Sequence, residues 1–201
     1  MSETHSDATL LPLQILAFAG STRTDSYNKK LVKIAASGAE AHSVQTTFID
    51  LRDYPMPLYD ADLEAAKGLP EQAHRFKALL RSHQGLLIAS PEYNSSYSGV
   101  LKNAIDWASR PVEGEAHLAC FNDKVCSIMS ASPGALGGLR GLAALRMLLE
   151  NINVLVLPKQ IAVSQAYEAF DEAGRLKRSE QQANVEAMGA NVADMLKKLQ
   201  R

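Results

Sequence analysis

The sequence predicts an α/β protein in which a buried parallel sheet carries helices on both faces. Short apolar runs, such as 13–20 and 85–90, alternate along the chain with longer segments of helical periodicity. Strands that are apolar at nearly every position are typical of a sheet covered on both faces, and strand–helix alternation is typical of right-handed parallel crossovers. Polar loops follow two of these strands, and such folds bind ligands at the carboxyl ends of their strands.

Length and composition favour one domain. The chain has 201 residues with 46% hydrophobic content, enough for one full core, and no repeat, linker or low-complexity tract divides it. Residues 1–12 lack the basic start and long apolar stretch of a signal peptide, so we expect a disordered tail there and a single domain at 13–201. No apolar run reaches the length of a membrane span.

The balance of charge argues against nucleic-acid and membrane partners, and the two cysteines argue against a disulfide-stabilised fold. The 21 basic and 22 acidic residues leave a net charge of −1, so no strong field attracts nucleic acid or an anionic membrane, and we expect neither as a partner. Cys120 and Cys126 lack CxxC spacing and make no disulfide framework. We therefore expect two reduced thiols with packing roles, in a cytoplasmic protein.

The first part of the chain predicts two strands, a helix and a long connection. Residues 13–20 are an apolar run that predicts a buried strand, and 28–42 carry a helical apolar face. Residues 44–51 alternate in polarity, which is typical of a half-covered strand near a sheet edge. The segment 54–70 is rich in proline, tyrosine and acidic residues, and its length predicts a lid or a contact between subunits.

The rest of the chain continues the alternation. Residues 70–82 predict a helix with Ala73, Phe76 and Leu80 inward, and 85–90 predict a strand buried on both faces. The remaining predicted elements are helices at 99–108, 138–150 and 179–199 and strands at 125–131 and 154–158, the last being the final core strand.

The first loop, GSTRTDSYN at 20–28, has the composition of a phosphate-binding turn. It offers hydroxyl and amide side chains, the cation Arg23, and the backbone amides of a helix N-terminus, which together complement a phosphate monoester. Neither GxGxxG nor GxxxxGK[ST] is present, so a dinucleotide pyrophosphate and a P-loop are not predicted. The alternative is an ordinary strand-to-helix turn in which Ser26 caps the helix. Asp25 would repel a phosphate, so we expect it to face solvent.

The second loop, residues 91–98, predicts a platform for a flat aromatic ring. Pro91 stiffens the turn, and Tyr93 and backbone amides offer aromatic surface and donors. With the first loop, this indicates FMN as the cofactor. The alternative is that Tyr93 and Tyr97 are packing residues. We expect the Glu92 carboxylate to anchor loop backbone or a neighbouring subunit rather than to act in catalysis.

The third loop lies in the segment SASPGALGGLRGLAALR, residues 130–146, which runs into the predicted helix. Its glycines, which are Gly134, Gly137 and Gly138, let backbone approach a ligand closely. Ser132 is predicted to bond a ring edge, and Arg140 to meet a second, phosphorylated substrate. The alternative is a flexible loop with a glycine-rich helix start.

Together the three loops resemble those of the NADPH-dependent FMN reductase family, the flavodoxin-like branch that includes quinone, azo-dye and chromate reductases. GSTRTDSYN is similar to the family's GSxRxxSxN phosphate loop. PEYNSSYSGVLKNAIDW, at 91–107, is similar to its long and specific PEYNxSxPGxLKNAIDW signature, and the resemblance extends from about residue 13 to about 165. It implies a flavodoxin-like sheet of five parallel strands in the order 2-1-3-4-5.

The resemblance also implies which residues bind the cofactor. The FMN phosphate would be held by Ser21, Arg23, Ser26 and Asn28. The isoalloxazine ring would be lined by Pro91, Glu92, Tyr93, Asn94 and Ser95, with Ser132 and Gly134 at its other edge. No metal ligand is predicted.

Assembly and helix capping follow from the same resemblance. It implies a homodimer or homotetramer with the flavin near a subunit boundary, and an interface that includes the helix carrying Asn103, Asp106 and Trp107. Tyr97 and Ser98 depart from the family's aliphatic–proline pair. Ser98 can cap the helix in place of proline, whereas the bulky Tyr97 can reshape the mouth of the pocket.

The predicted function is transfer of hydride from NADPH or NADH through FMN to a small acceptor such as a quinone, in a ping-pong mechanism. Because the cofactor carries the chemistry, no side chain is predicted to be catalytic. Two alternatives stay open: a flavodoxin-type one-electron carrier, and a non-enzymatic flavin-binding protein. The neutral charge and the loop at 137–140 disfavour the carrier, and the intact first loop disfavours the non-enzymatic protein.

Overall fold

A parallel sheet lies at the centre of the structure, a computed structural model that describes residues 12–200. The predicted tail at 1–12 therefore lies outside the described residues, apart from Pro12. The strands are β1 (Gln14–Ala19), β2 (Gln45–Asp50), β3 (Gly85–Ala89), β4 (Val125–Ala131), β5 (Leu155–Val156) and β6 (Ile161–Val163). Their order is β2-β1-β3-β4-β5, with β6 also paired to β4, and every pairing is parallel. The α/β class and the flavodoxin-like strand order are confirmed.

Helices cover both faces of the sheet. Within residues 12–200 they are α1 (Tyr27–Ala41), α2 (Ala61–Lys67), α3 (Glu71–Ser82), α4 (Gly99–Ala108), α5 (Leu139–Asn151), α6 (Ala166–Ala169) and α7 (Ser179–Leu199). The helices predicted at 99–108 and 179–199 have the predicted bounds. Among these described helices, none combines the length and apolar character that crossing a bilayer requires.

The sheet divides the core in two because successive strand side chains point to opposite faces. Ile15 and Ala17 of β1 pack into the cluster that contains α1 and α7, whereas Leu16 and Phe18 pack with α3, α4 and α5. The half-covered strand predicted at 44–51 is β2, and it lies at the sheet edge as expected.

The closing helix α7 docks on α1 through backbone contact. A Cβ atom at Gly38 of α1 would overlap the carbonyl oxygen of Glu186, and one at Gly189 of α7 would overlap that of Ala35. These two glycines allow the helices to cross without intervening side chains. Because the first loop leads directly into α1, the contact between α1 and α7 also fixes the position of the helix that follows this loop.

The connection at 54–70 is more ordered than its composition predicted, because it contains α2. That helix has no buried residue, so no apolar periodicity marked it, although Asp60 caps it by accepting from the Asp62 amide at 2.8 Å. The segment is also tied to α4. Asn103 accepts from the Tyr59 amide at 2.8 Å, and the Trp107 indole donates to the Pro57 carbonyl at 2.8 Å.

The prediction of one continuous last core strand at 154–158 is wrong. Only Leu155 and Val156 pair there, opposite Val125 and Cys126, and pairing resumes with Ile161 opposite Met129. Six positions separate residues 155 and 161 while four separate 125 and 129, so two extra residues interrupt the strand. Proline at 158 has no amide hydrogen and cannot donate to a ladder at this point.

At this break Arg146 of α5 donates hydrogen bonds to backbone carbonyls that a continuous strand would have paired with its neighbour. Its guanidinium donates to the carbonyls of Val156 at 3.3 Å, Leu157 at 2.9 Å and Pro158 at 3.3 Å. Val156 and Leu157 are largely buried, and their carbonyls would lose a protein donor without Arg146. Arg146 therefore supports the interrupted edge of the sheet.

Replacing Arg146 with alanine should lower the free energy of unfolding by about 1–3 kcal/mol, because charge-assisted hydrogen bonds to backbone are lost. Urea unfolding followed by circular dichroism measures this. Lysine at the same position should recover only part of the loss, because an ammonium lacks the guanidinium fork. Equal stability of the alanine variant and the parent would contradict this role.

Candidate functional site

A cleft opens at the carboxyl ends of β1, β3 and β4, where the three loops meet. It is lined by Ser21, Arg23, Ser26, Tyr27, Asn28, Pro91, Glu92, Tyr93, Ala131, Ser132 and Pro133. Eight of the eleven predicted cofactor-binding residues are in this lining, and Asn94, Ser95 and Gly134 are not. The sequence prediction that the loops converge at one edge of the sheet is confirmed.

Asn28 ties the first loop to the third. Its side-chain amide donates to the Ala131 carbonyl at 2.9 Å, and its oxygen accepts from the Ala131 amide at 2.9 Å. Asn28 is 3% exposed. Both ends of the side chain are thus engaged with the end of β4, which gives the residue a structural task beneath the site besides any contact with a ligand.

Ser98 ties the second loop to the first. Its hydroxyl donates to the Gly20 carbonyl at 2.6 Å and accepts from the Leu101 amide at 3.3 Å. The second bond caps α4, as predicted for a serine in place of the family's proline. Tyr97 is partly buried and packs against the core cluster on the α4 side of the sheet.

Glu92 ties the second loop to the helix that follows the third loop. Its carboxylate accepts from the amides of Arg140 at 3.0 Å and Gly141 at 3.1 Å, and from the Arg140 Nε at 2.7 Å. A carboxylate at a helix N-terminus is favoured by the helix dipole. The expectation that Glu92 anchors loop backbone is confirmed.

Glu92 is ionised in this environment. Burial by itself raises the pKa of the carboxyl, but the hydrogen bonds from the Gly141 amide and from Arg140 outweigh burial, and the pKa lies below its ordinary value. Arg140 forms an ion pair with Glu92 at 2.5 Å, so the side chain predicted to meet a second substrate has an internal partner.

The tip of the second loop is a tight two-residue turn. Tyr93 and Ser96 exchange backbone hydrogen bonds at 2.9 and 3.1 Å. Asn94 and Ser95 between them have φ values of 50° and 65°, the left-handed conformation that type I′ turns require. This turn leaves Tyr93 54% exposed beside the cleft.

The first loop presents free donors. Ser26 occupies the N-cap position of α1, but its hydroxyl makes no capping bond, so the alternative role of helix cap is not observed. In the described part of the chain, the amides of Tyr27, Asn28 and Lys29 have no acceptor. Unpaired amides at a helix N-terminus are suited to an anion.

The charges around the first loop leave one cation available at the cleft. Asp25 is exposed as predicted, and it pairs with Lys30 at 2.6 Å. Arg23 has no carboxylate partner among residues 12–200; its guanidinium donates to the Asp25 carbonyl at 2.9 Å and lies 5.8 Å from the Tyr27 ring centroid. The carboxylate of this loop therefore does not face the cleft.

The three glycines of the third loop differ in backbone conformation and in the space around them. Gly137 and Gly138 have φ values of 63° and 95°. A Cβ atom at Gly137 would lie 2.7 Å from the Ser164 amide nitrogen, and one at Gly138 would overlap the Ser130 hydroxyl. Gly134 has ordinary φ, and its nearest contact would be the Ser132 Oγ at 3.7 Å. The fold itself demands glycine at 137 and 138, whereas a Cβ atom at 134 would meet no steric obstacle.

Several residues at the site escaped the sequence prediction. Tyr27, Ala131 and Pro133 line the cleft, and the Tyr27 ring stacks on Phe170 at 5.8 Å. Arg52, at the end of β2, donates to the Thr22 carbonyl in the first loop at 2.9 Å. Nothing in the sequence near residue 52 signals a loop thirty residues earlier, because only the parallel pairing of β1 and β2 brings them together.

The donor set fits FMN. Free amides, two serine hydroxyls and Arg23 match the oxygens of a phosphate monoester. Pro91, Tyr93 and Pro133 offer apolar surface suited to a flat ring. Among residues 12–200 there is no group of three or more acidic, histidine or cysteine side chains placed to hold a metal ion.

The cysteines take no part in the site. Cys120 and Cys126 are buried and free, and burial raises the pKa of both thiols. The predicted packing role is confirmed, because a buried neutral thiol is a poor nucleophile.

Comparisons with known proteins agree with this geometry. Residues 13–168 match the sequence model of a family described as NADPH-dependent FMN reductase. An NAD(P)H-dependent FMN reductase of Pseudomonas aeruginosa is 39% identical over 165 residues, which cover 82% of this chain and 84% of that protein. A quinone reductase of Escherichia coli K12 is 34% identical over 155 residues, covering 73% and 74%. The solved structure of a flavoenzyme NAD(P)H:(acceptor) oxidoreductase from Paracoccus denitrificans has a TM-score of 0.77 at 29% identity, covering 92% of this chain and 98% of that one.

Replacing Glu92 with glutamine should lower the free energy of unfolding at pH 7 by about 1–2 kcal/mol, because the charge at the α5 N-terminus and the ion pair are lost. A carboxyl whose folded pKa is depressed stabilises the fold above its unfolded pKa, and this contribution is lost as the pH falls through the folded pKa. The difference between parent and variant should therefore shrink below about pH 4.

Urea unfolding at pH 7 and at successively lower pH values measures both effects. Glu113→Gln is the matched control, because Glu113 is exposed and makes no ion pair or hydrogen bond with residues 12–200. A difference that stays constant with pH would exclude the ionised carboxylate as its source.

Proposed function

The chain belongs to the NADPH-dependent FMN reductase family, and we propose that it binds FMN in the cleft and passes hydride from NADPH or NADH to a small acceptor such as a quinone. The observation that carries the proposal is the convergence of the three loops at one sheet edge. There the free amides of α1 and Arg23, which has no carboxylate partner among residues 12–200, share one cleft with Pro91 and Tyr93 of the second loop.

The first loop is proposed to hold the phosphate. The amides at the start of α1 and the hydroxyls of Ser21 and Ser26 supply donors, and Arg23 supplies charge. Asn28 keeps this donor set in place by fixing the start of α1 to the end of β4.

The second and third loops are proposed to hold the ring. Pro91 and Tyr93 lie along the cleft, Ser132 bounds its other side, and the Gly134 amide donates to the Ser132 hydroxyl at 3.3 Å. Asn94 and Ser95 form the turn that sets the direction of Tyr93. Glu92 keeps the second and third loops at a fixed separation, which orients whatever lies between them.

When bound, FMN supplies the hydride chemistry. No acid or base is required from the protein, and Glu92, the acidic residue of the cleft, is ionised and fully engaged with amides and Arg140. We propose that the two substrates use the cleft in turn, so that turnover is ping-pong. Arg140 is our candidate for the phosphate of the nicotinamide substrate, because its side chain is 60% exposed and Glu92 keeps two amide partners without it.

We further propose a homodimer or homotetramer in the cytoplasm. Leu58 is 82% exposed on the segment that Asn103 and Trp107 hold against α4. An apolar side chain held out by a fixed segment is suited to an interface. Trp107 itself is fully buried, so within the proposed interface helix it shapes the surface from beneath. Two buried thiols support a reducing compartment.

Steady-state kinetics on the purified, FMN-loaded protein test this function. We expect a yellow preparation that consumes NADPH when a quinone is added, with parallel double-reciprocal lines. A protein that neither retains nor takes up FMN would overturn the proposal. Flavin without NADPH oxidation would favour the carrier, and intersecting lines would exclude the shared-site mechanism.

Replacing Arg23 with alanine should weaken FMN binding by about 1–3 kcal/mol, because a charge-assisted hydrogen bond to the phosphate is lost. Quenching of FMN fluorescence during titration of the apoprotein measures the affinity. Riboflavin, which lacks the phosphate, is the control ligand and should bind both proteins alike. Unchanged FMN affinity would rule out a contact between Arg23 and the phosphate.

A further inference from the structure

Arg52 is the side chain outside the first loop that holds the loop's exposed half. Its Nε donates to the Thr22 carbonyl at 2.9 Å, and its Nη2 donates to the same carbonyl and to the Thr24 hydroxyl at 3.0 Å. Among the described residues, backbone bonds within the chain reach this loop only at its two ends, from Gly20 to Ala89 and from Lys30 to Ser26. From outside the loop, the stretch 22–24 is held by one guanidinium, which comes from the turn that follows β2.

The bond to the Thr22 carbonyl also sets the direction of an amide. In a trans peptide the carbonyl of one residue and the amide of the next point in opposite directions. Binding of the Thr22 carbonyl by Arg52 therefore turns the Arg23 amide the other way, towards the Ser21 hydroxyl at 3.4 Å. Ser21 is a cleft residue, so this bond places its hydroxyl, one of the proposed phosphate donors, on the cleft side of the loop.

Arg52 is itself held in place, and its guanidinium makes no direct ion pair with a carboxylate among residues 12–200. Asp50 accepts from the Arg52 amide at 3.0 Å through one oxygen, and binds Lys29 at 2.5 Å through the other. Of the four cations on or beside the loop, Lys29 and Lys30 have carboxylate partners. Arg23 and Arg52 have no carboxylate within ion-pair distance among residues 12–200, so these two guanidinium groups are the cations of the loop that are not engaged in a direct ion pair.

We propose that Arg52 is a positioning residue for the cofactor phosphate: it orients the Thr22–Arg23 peptide and adds a second positive charge, besides that of Arg23, beside the phosphate site. This inference rests on the proposed function, because it takes FMN as the ligand of the first loop. It assigns to the end of β2 a part in cofactor binding that the cleft lining alone does not indicate.

Binding of FMN and of riboflavin to the apoproteins of Arg52→Ala and Arg52→Lys tests the proposal. The alanine variant should bind FMN about three- to tenfold more weakly, whereas riboflavin affinity should change by less than about twofold. Lysine should restore part of the FMN affinity, since it returns the charge but not the fork that grips Thr22. The FMN deficit of the alanine variant should also shrink in high salt, where charge is screened.

Arg81→Ala is the matched control, because Arg81 is also an exposed arginine, and it pairs with Glu115 away from the cleft. Equal losses for FMN and riboflavin would show that Arg52 acts on the fold as a whole, and would overturn the proposal, as would an unchanged FMN affinity. Failure of the parent protein to bind FMN would instead overturn the proposed function, so the two failures are distinguishable.

Discussion

Three hydrogen-bonded ties between loops define the site, and the rest of the sheet edge depends on them. Asn28 joins the first loop to the end of β4, Ser98 joins the second loop to the end of β1, and Glu92 joins the second loop to the start of α5. Each loop is thereby bonded to two others. Loops at the end of a sheet are otherwise the least constrained part of such a fold, because few buried apolar contacts hold them.

These ties separate the residues that hold the site from those that face a ligand. Asn28, Ser98 and the Glu92 carboxylate are buried or nearly so, and their polar atoms bond to backbone. The first α1 amides lie at the surface of the cleft without acceptors within the described residues, and the Arg23 guanidinium has no carboxylate partner there. A family motif that mixes the two kinds therefore cannot be translated into ligand contacts residue by residue.

The electrostatics of the first loop follow the same division. Lysines at the start of α1 would oppose the helix dipole, and Asp50 and Asp25 neutralise them. Within the described residues the two arginines make no direct ion pair; one lies on the loop, and the other reaches it from the turn after β2. The helix N-terminus is thus left positive on the side of the cleft, which is the condition that a dianionic phosphate requires.

The sequence by itself determined the layered α/β class, the bounds of most helices and the three loops, because these depend on local apolar periodicity and on short turns. It also indicated the roles of Glu92 as an anchor and Ser98 as a cap, since both follow from residue type beside a helix start. Only the tertiary structure decided where the fifth strand breaks, because that depends on its register against β4 and on Arg146 reaching the exposed carbonyls. The contact of Arg52 with Thr22 was likewise decided by strand pairing, because residues thirty positions apart become neighbours only when β1 and β2 align in parallel.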